Sequence, residues 1–110
     1  MKRLVEIPPD RLPEEGGRRL FRHEEKSVVL FLLDGVFYAI DDSCPHAGAS
    51  LFCGKLEGRW LQCPAHGLRF NLADGCMASQ RGFGVRRYPM ESRDGAWFID
   101  FTDIPRELVL

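Results

Sequence analysis

Four side chains near the middle of the chain carry the chemistry this sequence offers: Cys44, His46, Cys63 and His66. They fall in two similar stretches, C-P-H-A-G at 44–48 and C-P-A-H-G at 63–67, with sixteen residues between His46 and Cys63. Thiolate and imidazole are ligands for soft and borderline metal ions. Within each stretch the cysteine and histidine stand two or three residues apart, so each pair can reach one small site from one loop. Pro45 and Pro64 fix φ and remove an N–H, and Gly48 and Gly67 permit tight turning. Three readings of the residues stand side by side. They are buried structural cysteines with incidental histidines, a Cys₂His₂ zinc site, or a 2Fe–2S cluster in which two histidines replace two cysteines on one iron. Zinc fingers group two cysteines on one segment and two histidines on another. Here each segment mixes them, which favours the asymmetric iron–sulfur cluster.

The elements that must position these loops are short strands. The chain has 110 residues, enough for one domain with a core that needs no staples. Ser27–Leu33 is β-branched at its start, is apolar from Val28 onward, and reads as a buried strand. The turn Asp34-Gly35 and the apolar run Val36–Ile40 follow it, a strong hairpin signal. A second D-G hairpin joins Val85–Ser92 to Ala96–Phe101 through Arg93-Asp94-Gly95. Lys2–Ile7, Arg18–His23 and Trp60–Gln62 read as further strands, and Pro8 to Gly17 as a loop; Leu68–Leu72 leads away from the second pair, and Asp74-Gly75 turns the chain. Asp41–Gly58 shows neither strand nor helix periodicity. Gly82 and Gly84 make their segment irregular, and Asp103–Leu110 could form one helical turn. With no long amphipathic helix, the expectation is an all-β sandwich or barrel.

Composition excludes several roles. Fifteen basic and sixteen acidic residues leave a net charge of −1, which supports no nucleic-acid or anionic-membrane partner. The longest apolar run, six residues, cannot span a bilayer, and the N-terminus has no apolar signal region. A cytoplasmic protein is expected. Four cysteines in such a chain point to metal or reactivity before disulfides. Cys53 and Cys76 read as buried apolar residues or thiols outside the ligand set, and His23 as a plain strand residue. With one histidine left after His46 and His66, a 2-His-1-carboxylate iron site is excluded. No G-x-G-x-x-G fingerprint is present. Arg81, Arg86, Arg87 and Arg93 read as a solvated strand face, with docking as the lesser alternative.

The pattern C-P-H at 44–46 and C-P-A-H at 63–66 resembles the ligand motif of the Rieske family. H-G-L-R-F-N-L-A-D-G at 66–75 resembles the segment after the second ligand loop of Rieske ferredoxins. V-R-R-Y-P-M-E-S-R-D-G-A-W-F-I-D-F at 85–101 resembles their closing hairpin. The resemblance implies a single Rieske domain over 1–110, an antiparallel β-sandwich base with a two-loop cluster-binding lobe at about 42–70. It implies one 2Fe–2S cluster, with Cys44 and Cys63 on the inner iron and His46 and His66 on the outer, surface-facing iron.

A diferric 2Fe–2S core carries +2, so two thiolates leave it neutral where four would leave −2. Reduction is correspondingly easier, and Rieske centres fall between about −150 and +300 mV against about −400 mV for plant-type ferredoxins. High-potential Rieske proteins carry a disulfide cysteine in each loop and hydroxyls two and four residues after the second histidine. The matching residues here are Ala49, Ala65, Leu68 and Phe70, which implies a low-potential, disulfide-free cluster. The family closest in pattern is the ferredoxin component of bacterial aromatic-ring-hydroxylating dioxygenase systems. That resemblance implies a monomeric electron carrier, not an enzyme, between a ferredoxin reductase and a terminal oxygenase. Its electron port would lie at His46 and His66, rimmed by Ala47, Gly48, Ala49, Pro64 and Gly67. The alternatives are a small subunit of an assimilatory nitrite reductase and a zinc or interaction module.

Overall fold

The computed structural model describes residues 3–24, 26–42, 50–63, 69–72 and 86–101. Among the described residues nine strands run β1 (Leu4–Ile7), β2 (Arg18–His23), β3 (Lys26–Leu33), β4 (Val36–Asp41), β5 (Lys55–Glu57), β6 (Trp60–Gln62), β7 (Arg69–Asn71), β8 (Met90–Arg93) and β9 (Ala96–Asp100). They form three antiparallel sheets, β1-β9-β8, β2-β3-β4 and β5-β6-β7. The fold is all-β, as expected. Among the described residues the helical geometry is a single 3-10 turn at Pro9–Arg11, inside the expected loop, and no helix is long and apolar enough to cross a membrane.

The middle sheet explains the architecture. Along β3 alternate residues face opposite ways, yet Val28 to Phe31 are all fully buried. Val28 and Leu30 join Ile7, Phe21, Ala39, Tyr88, Ile99 and Phe101 in one core, against β1 and β9. Val29 and Phe31 join Ile40, Leu51, Leu61, Cys63, Phe70 and Leu72 in a second, against β6 and β7. An unbroken apolar run is what a strand covered on both faces requires.

Both D-G turns form where expected. Asp34 and Gly35 have φ of 53° and 76°, and Asp94 and Gly95 have 52° and 82°. Positive φ at both central residues gives strands the twist a two-residue hairpin needs. Several strand expectations change. β5 lies within the stretch read as irregular, because a hairpin closed by Gly58 (φ 61°) leaves it only three residues to show a pattern. The strand expected over 85–92 begins at Met90, since Pro89 donates no ladder bond; before it only Arg87 bridges to Ile40. β4 continues to Asp41. Asp74-Gly75, Cys76, Gly82, Gly84 and the expected helical turn at 103–110 lie outside the described residues.

Candidate metal centre

The two Cys/His stretches leave the described structure as the segments 43–49 and 64–68, so the expected ligands Cys44, His46 and His66 and the expected rim residues lie outside it. Cys63 is described. It follows β6 directly, is 1% exposed, and belongs to the core under the β5-β6-β7 sheet. Phe70, the residue expected to lack a hydroxyl near the cluster, is fully buried in the same core. Cys53 is an exposed thiol, so of the two expectations for it the buried one fails. His23 stands in β2 with its ring stacked on Phe101, centroids 6.1 Å apart, a strand residue as expected.

What the structure shows best is how the ends of each stretch are fixed. Gln62 and Arg69 are register partners, so β6 and β7 close the segment that begins at Cys63. The other segment runs from Asp42 to Ser50. There the Ser50 hydroxyl donates to the Asp42 carboxylate at 2.8 Å, and the Leu51 and Phe52 amides donate to Asp42 Oδ1 at 3.0 Å each. Just upstream, Tyr88 donates its hydroxyl to Asp41 Oδ1 at 2.8 Å, and the Asp41 amide donates to the Arg86 carbonyl at 2.9 Å. Burial and the Asp41 carboxylate push the Tyr88 phenol pKa well up, so it stays a hydrogen-bond donor at physiological pH.

The two stems meet. Lys55 pairs with Gln62, and a Cβ at Gly54 would stand 2.6 Å from the Gln62 carbonyl oxygen and 3.1 Å from that of Leu51. Only a glycine permits that approach. Leu51 and Cys63 share one core cluster. The far end of the first Cys/His segment and the start of the second therefore meet beside one small sheet, while the first segment begins from β4 of the middle sheet. Asp42, Tyr88 and Gly54 carried no expectation from the sequence; the acidic pair Asp41-Asp42, one residue short of C-P-H, was the signal available for Asp42.

The described base brings an end of each Cys/His segment close together, as a protein that holds one metal centre between two loops requires. Residues 3–89 match the Rieske [2Fe-2S] domain family. The chain is 31% identical over 107 residues to the 3-phenylpropionate/cinnamic acid dioxygenase ferredoxin subunit of Photorhabdus laumondii, covering 94% of this chain and 98% of that one. It is 31% identical over 100 residues to the naphthalene 1,2-dioxygenase system ferredoxin component of Pseudomonas aeruginosa, 90% of each chain. A solved complex of reduced oxygenase and oxidized ferredoxin in carbazole 1,9a-dioxygenase contains a chain that superposes with a TM-score of 0.74. That match is 26% identical and covers 86% of this chain and 99% of that one. The chain belongs to the Rieske [2Fe-2S] family, and its cofactor is one Rieske-type 2Fe–2S cluster. The donor set fits that cluster: one thiol and one imidazole per loop, with Cys63 held in a core that excludes water.

Proposed function

We propose that this chain is the ferredoxin component of an aromatic-ring dioxygenase system, carrying single electrons from a reductase to a terminal oxygenase. The observation that carries this reading is the likeness to a dioxygenase ferredoxin subunit over 94% of this chain and 98% of that relative. Cys44 and Cys63 hold the inner iron, and His46 and His66 the outer iron. When bound, the cluster supplies reversible one-electron chemistry. The protein's own part is to fix the ligands, keep water from the thiolate side, and leave the imidazole edges at the surface for a transient partner. A small contact suits a carrier that must leave after each transfer. Residues 1–110 act as one domain with the cluster lobe at about 42–70, in the cytoplasm and as a monomer. Phe70 presents no hydroxyl to the cluster, which supports a potential in the lower part of the Rieske range, from about −150 mV to about 0 mV.

The test is purification followed by absorption, EPR of the reduced protein and a redox titration. A red-brown protein with a rhombic EPR signal and a midpoint below zero is expected. A colourless protein overturns the cluster reading, and a midpoint well above zero overturns the low-potential assignment. His46→Ser and His66→Ser should each abolish the rhombic signal, whereas Cys53→Ser should leave the spectrum unchanged.

A further inference from the structure

We infer that Asp42 is a positioning residue for the cluster, holding the loop that carries Cys44 and His46 in the geometry both ligands need. The inference rests on the reading of those two residues as ligands. Asp42 stands at one end of segment 43–49 and grips the other. Its backbone amide donates to the Ser27 carbonyl at 3.0 Å, which ties it to β3 of the middle sheet. Its carboxylate accepts from the Ser50 hydroxyl at 2.8 and 2.9 Å and from the Leu51 and Phe52 amides at 3.0 Å. Its carbonyl accepts from the Leu51 amide at 3.2 Å. One residue of the rigid base thus closes a seven-residue segment by three donors on its far side.

The far side is held from a second direction. The Arg18 guanidinium, on β2 and 5.4 Å over the Phe31 ring, donates to the Phe52 carbonyl at 2.8 Å and the Gly54 carbonyl at 2.7 Å. The base therefore grips segment 50–54 by its amides through Asp42 and by its carbonyls through Arg18. Charge-assisted bonds are the strong ones, and a loop closed at both ends has few conformations left to lose when it takes up a metal. Ligand geometry depends on the groups that orient the ligands, so loosening this grip should show in the cluster as well as in the fold.

The bonds use acceptor lone pairs, which an asparagine amide oxygen also offers to the Leu51 and Phe52 amides. That separates positioning from charge. The experiment compares the loaded wild type with Asp42→Ala, Asp42→Asn and Ser50→Ala. It reads the reduced EPR line shape, the rate of cluster loss to a chelator, and peptide hydrogen exchange over 50–54. Asp42→Ala should lose its cluster at least tenfold faster with a shifted or broadened rhombic signal. Asp42→Asn should stay within about threefold of wild type. Ser50→Ala, which keeps both amide bonds, should fall between.

If Asp42→Ala raises exchange over 50–54 while its EPR signal and cluster lifetime match wild type, Asp42 is a stability element and the inference is overturned. If Asp42→Asn behaves as Asp42→Ala, charge and not hydrogen bonding is responsible, and it is again overturned. Should Asp42→Ala take up no cluster, an unaltered Ser50→Ala counts against positioning and a several-fold faster loss supports it. A wild type that never takes up a cluster overturns the ligand reading together with this one. A loaded wild type beside a loaded and unchanged Asp42→Ala overturns this one alone.

Discussion

The two faces of the middle sheet are built differently. Towards β1-β9-β8 it meets strands of four and five residues, and the contact is apolar: Val28, Leu30 and Ala39 against Ile7, Ile99 and Phe101. Towards β5-β6-β7 it meets strands of three residues each, which form a short ladder. There the apolar contact of Val29, Phe31 and Ile40 with Leu61, Phe70 and Leu72 is supplemented by side chains bonded across the layers. Asp42 and Arg18 hold the backbone of 50–54, and Arg59 donates to the Tyr38 hydroxyl at 2.8 Å. The difference follows from what each layer must do. The outer sheet needs only to bury surface. The cluster layer must hold the ends of two Cys/His segments at fixed positions, and ladder bonds do not reach residues 50–54, which lie outside the strands. Polar side chains from the base take those bonds, and the cluster adds its own binding free energy to the folded state.

The comparison breaks most visibly in the two cores. Leu30 and Phe31 are adjacent, both fully buried, and point to opposite faces. Leu30→Ala should cost about 2–5 kcal/mol and Phe31→Ala about 3–5 kcal/mol in denaturant titrations. Their effects on the cluster should differ. Phe31 packs under the cluster layer and beneath the Arg18 guanidinium, so its loss should speed chelator-driven cluster release under conditions where the protein remains folded. Leu30→Ala should release the cluster only as fast as it unfolds. Equal release rates at equal stability would show that the layers behave as one cooperative unit.

Gly54 sharpens the comparison at the point where the two loop stems meet. A methyl there would press on the Gln62 and Leu51 carbonyls, which are backbone and cannot swing aside. Gly54→Ala should cost about 1–3 kcal/mol as an overpacked site. The displacement should fall on the stems, so cluster content on purification should drop while hydrogen exchange in β1 and β9 stays as in the wild type. An alanine variant fully loaded with cluster would mean that the spacing of the stems tolerates change.

Much of the outer face was legible in the sequence, and less of the cluster face. The run Val28–Leu33 and the pairs Asp34-Gly35 and Asp94-Gly95 specify a doubly covered strand and two hairpins, because burial and positive φ leave local marks. The Cys/His spacing marked the loops themselves. The device that holds those loops left little local mark. Arg18 acts on residues 34 and 36 positions away, and an arginine in a half-polar strand reads as solvated. Asp42 acts over eight to ten positions, and its type is common in any loop. β5 escaped notice because three residues cannot establish a period of two. Long-range polar contacts are set by topology, which the residues on either side do not encode.

Tyr88 gives the smallest effect and the most selective one. It is 5% exposed, packs edge-on to Phe101 at 5.2 Å in the outer core, and donates to Asp41 three residues before Cys44. It is thus a polar contact made from the apolar side of the middle sheet. Tyr88→Phe keeps the ring and removes one hydrogen bond, so it should cost about 1 kcal/mol near neutral pH. Burial first, and then the Asp41 carboxylate, raise the folded phenol above its ordinary value of 10.0. An acid with a higher pKa in the folded than in the unfolded chain contributes its full stability below the unfolded value. The contribution then falls as pH rises through the folded value. The gap between wild type and Tyr88→Phe should therefore be constant from about pH 7 to pH 9 and close from about pH 10 upward. Denaturant midpoints measured across that interval check it. A gap that stayed constant into the alkaline range would mean that the phenol ionises equally readily in both states, and that neither burial nor Asp41 raises its pKa in the folded chain.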